Sequence, residues 1–72
     1  MTDENRRRLT ALVAASTKLA AASRLAKEAT IDIAASGLPQ RECEYVLKIA
    51  VEIDTDIQRL TQRLTSAIEH IP

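Results

Sequence analysis

Two acidic pairs at helical spacing, Glu28 with Asp32 and Glu52 with Asp56, are the side chains best placed to do chemistry, and that chemistry would be metal binding. Carboxylate metal sites in helical bundles combine inward-facing acids with a Glu-x-x-His pattern. That pattern is missing, because the one histidine, His70, follows Glu69 directly. The acidic pairs also fall on outward or flanking positions of the heptad pattern described below. No metal site and no cofactor are therefore expected. When the chain is folded back at its centre, Glu28 comes across from Lys48 and Glu52 across from Arg24, where solvated ion pairs are expected.

Covalent catalysis needs a nucleophile, an adjacent base and a group to orient them. Cys43 and His70 are expected at opposite ends of the fold, and Ser16, Ser23 and Thr30 have no base at a suitable spacing. A single glycine excludes a Gly-rich phosphate loop. The chain is read as a non-enzyme without a small-molecule substrate.

Charge offers a different chemistry. Arg6, Arg7, Arg8, Lys18, Arg24 and Lys27 occupy a stretch free of acids, and residues 1–27 carry six basic and two acidic groups against four and eight in residues 28–72. Two such helices side by side would present paired basic surfaces suited to RNA. The whole chain is nevertheless neutral, with ten basic and ten acidic residues, which argues against nucleic-acid binding through bulk charge. RNA binding is the alternative function, and a solvated basic face is the simpler expectation.

The elements that carry these residues are set by two heptad patterns meeting at Gly37, Leu38 and Pro39. The first runs Leu9, Leu12, Ser16, Leu19, Ser23, Ala26, Thr30, Ile33. The second runs Cys43, Val46, Ala50, Ile53, Ile57, Leu60, Leu64, Ala67, Ile71. Both have the alternating three and four spacing of a helical seam. Folding at the turn opposes Ile33 to Cys43, Ser23 to Ile53 and Ser16 to Leu60, so small residues repeatedly meet large ones. The spacing predicts one domain over residues 1–72: a helix over about 3–36, a turn at 37–39, and a helix over about 39–70. Thr2 suits the N-cap, Gly37 the left-handed helix ending with Leu38 packing back on Ile33, and Pro39 the first turn of the second helix. A three-helix monomer would require a break near Ser23, but no Gly or Pro interrupts residues 3–36.

A lone hairpin of this size has one inward face, so self-association is the natural way to complete a core. Ala15, Ala22 and Ala29 recur one heptad apart beside the first seam and would let another backbone come close. Leu47, Ile49 and Val51 widen the apolar surface of the second helix. These six are the candidate dimer contacts, and the expected product is an all-α four-helix bundle formed by a homodimer. The basic first segment and the acidic turn region (Glu28, Asp32, Glu42, Glu44) suggest hairpins packed with their turns at opposite ends. Tyr45, the only aromatic residue, maps to an outward position near the turn and is a candidate contact for a protein partner.

This layout resembles the small plasmid-encoded Rop family, in which two helical hairpins with small and large core layers form an antiparallel dimer that binds paired RNA loops. The likeness is one of layout over most of the chain, with no shared sequence motif. It implies the four-helix bundle; the RNA alternative would use the basic stretch, with Arg6, Arg7, Arg8, Lys18 and Arg24 of the first helix as its candidates. The family's RNA face includes an aromatic residue, and this first helix has none. A helix-turn-helix DNA reader is disfavoured, because such motifs use short helices and Asp32 and Ser36 fall where apolar contacts would be needed.

The polar segment Met1 to Arg8 leads into no long apolar run, so no signal peptide or membrane span is expected. A single seam cysteine fits a reducing cytoplasm. The expected function is that of a small regulatory or interaction protein working through helix–helix contacts with protein partners.

Overall fold

Thr2 starts the first helix as its side chain predicts: its Oγ1 accepts the Asn5 N–H at 3.1 Å, with Asp3 and Glu4 in the first turn. Carboxylates there complement the partial positive charge of the helix start. In the computed structural model, which describes residues 2–72, helix α1 runs over Asp3–Ala34 and helix α2 over Gln40–Glu69. They pack side by side as a hairpin of 56 × 15 × 12 Å.

Helix α1 stops two residues short of Ser36, and the reason is local. The Ser36 hydroxyl donates to the Ile33 carbonyl at 2.6 Å and accepts the Leu38 N–H at 3.3 Å, a side-chain alternative to the helical ladder. Gly37 takes the left-handed conformation at φ 78. Leu38, expected to pack back on Ile33, is 42% exposed. Pro39 sits one position earlier than expected, as the cap of α2, and its carbonyl accepts the Cys43 N–H at 2.9 Å.

All eight expected seam residues of α1, from Leu9 to Ile33, are half-buried. Helix α2 departs from expectation. Cys43, Val46, Ala50, Ile57, Leu64 and Ile71 are half-buried, but Ile53, Leu60 and Ala67 are exposed, and Asp54, Thr61 and Ile68 are half-buried in their stead. The turn end keeps the expected match, with the Cys43 thiol 3.9 Å from the Ile33 carbonyl oxygen. Further along, the Ser23 hydroxyl donates to Asp54 Oδ1 at 2.7 Å, so α2 is rotated by part of a turn relative to the expected pairing of Ser23 with Ile53. A polar α1 residue has taken a polar partner. The expected pairs Glu28 with Lys48 and Glu52 with Arg24 do not form, and the ion pairs among the described residues lie within single helices, Glu4 with Arg8 and Asp56 with Arg59.

No described side chain is fully buried. The accessible surface is 5713 Å², whereas a compact monomer of 7.9 kDa would expose about 4,400 Å². The hairpin on its own lacks an enclosed core.

Candidate functional site

The rotation of α2 creates the molecule's most distinctive surface. At about 3.6 residues per turn, Ile49, Ile53, Leu60 and Ala67 form one line along α2. Each stands one residue before a half-buried position: Ala50, Asp54, Thr61 and Ile68. The three large side chains are 41%, 51% and 48% exposed, in that order. Val46, Ile57 and Leu64, half-buried between the helices, border the same line. The apolar arc of α2 is therefore wider than α1 covers, which is why α2 is strongly amphipathic while α1 is only weakly so.

Helix α1 adds a shallow floor beside this stripe. Ala15, Ala22 and Ala29 each precede a seam residue (Ser16, Ser23 and Thr30), as Ile49, Ile53 and Leu60 do on α2. In antiparallel helices the residues just before the seam fall on the same side of the pair. One side of the hairpin thus combines a ridge of large side chains with a row of alanines, of which Ala15 and Ala22 are half-buried and Ala29 exposed. Tyr45 stands one turn before Ile49 on the outer edge of the ridge and is exposed.

The other candidate dimer contacts lie elsewhere. Leu47 and Val51 follow seam positions and so fall on the opposite side. Leu47 is half-buried there, while Val51 is 59% exposed and forms the far edge of a shallow dip that crosses the outer face of α2 through Glu52, Thr55, Asp56 and Arg59 toward the stripe. That opposite side also carries a groove of about 390 Å³ between Leu19 and Ala20 of α1 and Gln58, Thr61 and Gln62 of α2. The structure places Ala15, Ala22, Ala29 and Ile49 on one side of the hairpin and Leu47 and Val51 on the other. Sequence reasoning had placed Ile53 and Leu60 inside the hairpin; the signal that would have found them outside is Asp54, a carboxylate one position from the seam with Ser23 as a matching donor.

The cations of α1 do not converge. Arg6 and Arg24 share an azimuth five turns apart, Arg7 and Lys18 share another, and Arg8 is tied to Glu4 at 2.6 Å. Among the described residues no three of His, Cys, Asp and Glu come together as a metal site would require. Cys43 lies near the turn, and His70 at the far end of α2 has its Nδ1 2.6 Å from the Ser66 carbonyl oxygen. One covered hydroxyl, Ser16 Oγ, has no hydrogen-bond partner; it lies within the seam and faces α2. No described helix is long and apolar enough to cross a membrane.

The fold and this site define an all-α helical hairpin with an uncovered apolar face. Comparison with family models, with curated proteins and with solved structures finds no match to the chain.

Proposed function

We propose that this chain is a non-enzymatic helix–helix interaction protein whose α2 stripe docks against another apolar helix face, in the first place that of a second copy, giving a four-helix bundle. The observation that carries this reading is the apolar line Ile49, Ile53 and Leu60, left open along a hairpin with no fully buried side chain. The surface in excess of a compact monomer's is larger than the roughly 800 Å² that each partner contributes to a standard interface. Burial of that excess at about 25 cal/mol per Å² is a driving force that the hairpin cannot obtain from its own seam.

A bundle of this kind would regulate by presenting rigid outer helix faces to a target, or by exchanging one hairpin for a helix of the target in the same apolar groove. Tyr45, at the stripe's edge, is the residue on which such an exchange would be read first. The RNA alternative has less support, because the cations of α1 spread around the helix instead of lining one face.

Two β-branched apolar residues of similar exposure, Ile53 at 51% and Val51 at 59%, provide the test. Ile53→Asp is expected to reduce the solution mass to that of one chain, measured by light scattering on an eluting peak, while Val51→Asp leaves the mass of the natural protein unchanged. Equal effects of the two variants would overturn the assignment of the stripe.

A further inference from the structure

The border of the α2 stripe carries charges in a definite order. Glu52 and Asp56 precede Gln58, and Arg59 and Arg63 follow it. Asp56 stands one turn from both Ile53 and Leu60, and Arg63 one turn beyond Leu60. Asp56 and Arg59 touch at 3.3 Å with both side chains 75% exposed, while Glu52 and Arg63 make no ion pair among the described residues. Over residues 52–63 the border is thus acidic on one half and basic on the other, about a centre between Ile57 and Gln58, while Arg41 and Lys48 lie on the same border outside this span.

We infer that a second copy of this chain covers the stripe with its α2 running antiparallel, about a two-fold axis near Gln58, so that Glu52 and Asp56 of each chain meet Arg59 and Arg63 of the other. This rests on the reading of the stripe as an association surface and adds the partner's direction. A parallel pairing would bring acid against acid and base against base along the whole border, which is unfavourable for charges at this spacing. Half a residue from this centre, at Gln58, the apolar residues also match: Ile49 comes opposite Ala67, a large side chain against a small one.

The direction has a consequence at the ends of the bundle. An antiparallel α2 pair places the two turns at opposite ends and sets α1 beside the partner's α1, where Ala15 and Ala22 permit a close approach. The turn-end acids Glu28, Asp32, Glu42 and Glu44 then lie toward the partner's Arg6, Arg7 and Arg8. Two charge patterns, one along the stripe and one between the ends of the hairpin, favour the same orientation, and like-charge repulsion penalises the reverse at both.

The test is a distance between spin labels at Tyr45→Cys in a Cys43→Ala background, with His70→Cys in the same background as a second site, helicity being checked for each. Antiparallel pairing sets the two copies of either label about 40 Å apart, from the 1.5 Å rise per residue on either side of the centre. A bundle with its turns at the same end brings the copies of both labels within about 20 Å, from interaxial spacings of 8–10 Å, and that result overturns the inference. A one-chain mass with no dipolar coupling overturns the association itself, so the two failures are distinguishable. Charge reversal supplies an independent reading. Arg59→Glu with Arg63→Glu is expected to weaken self-association about tenfold or more at low salt, and adding Glu52→Arg with Asp56→Arg is expected to restore it. Unchanged association in the first variant would contradict the pairing.

Discussion

The side of α2 that α1 covers carries Asp54 and Thr61, and the side that nothing covers carries Ile53 and Leu60. A protein that folds only for its own sake would be expected to do the opposite, since burial of apolar surface is the main favourable term in folding. Inside the hairpin, a serine is satisfied by a carboxylate at 2.7 Å and another serine hydroxyl has no partner. Outside it, isoleucine and leucine stand in a line. The difference teaches that the seam with α1 is narrow and partly polar; on the proposed reading, the wider apolar side of α2 serves a second seam with a partner.

Substitutions on the two sides should therefore behave differently. The largest effect is expected from Ile49→Ala combined with Leu60→Ala, which removes large side chains from the open stripe twice per dimer. At about 0.8 kcal/mol per buried methylene, the dissociation constant should rise about a hundredfold or more, measured by sedimentation equilibrium. An unchanged constant would mean that the stripe is not the association surface.

On the inner side the expected effects are smaller and can have either sign. Thr61→Leu places a larger apolar side chain at the groove beside Leu19 and Ala20, and should raise thermal stability by about 1 kcal/mol without altering the oligomeric mass. A loss of stability would mean that the groove cannot accept the added volume. Ser23→Ala removes the donor to Asp54, whose other oxygen accepts from Gln58 Nε2 at 3.0 Å. This should cost about 1 kcal/mol in denaturant unfolding, a modest value because the pair is only half-buried. A neutral outcome would show that the rotation of α2 does not depend on this bond.

Much of the hairpin was legible in the sequence. The whole α1 seam, both helices to within about two residues, and the left-handed Gly37 follow from heptad spacing and cap chemistry. The rotation of α2 was not legible from hydrophobicity, for a physical reason. A periodic apolar arc reports its own centre, and when the arc is wider than one neighbouring helix covers, that centre lies off the line of contact. Reading it as the α1 contact placed Ile53 and Leu60 inward. The polar residues held the correction, because a half-buried carboxylate needs a donor and Ser23 is the α1 residue within reach of Asp54. The helix end also differs from the Schellman-type ending that the sequence suggests: the Ser36 hydroxyl donates to the Ile33 carbonyl and accepts the Leu38 N–H, a local contest that apolar spacing does not record. Of the residues proposed for the interface, Ala15, Ala22, Ala29 and Ile49 are also the ones that spacing alone suggests. Leu47 and Val51 were grouped with them because flanking positions on either side of a seam look alike until the direction of the partner is known.

The most direct test of the two-seam account is the solution mass of the natural chain by sedimentation equilibrium, with helicity followed over the same concentrations. The account predicts a mass of two chains of 7.9 kDa each, with helicity lost as dilution separates them. A single chain that stays fully helical and unfolds cooperatively at every concentration would contradict it, because the narrow inner seam would then suffice to hold the fold.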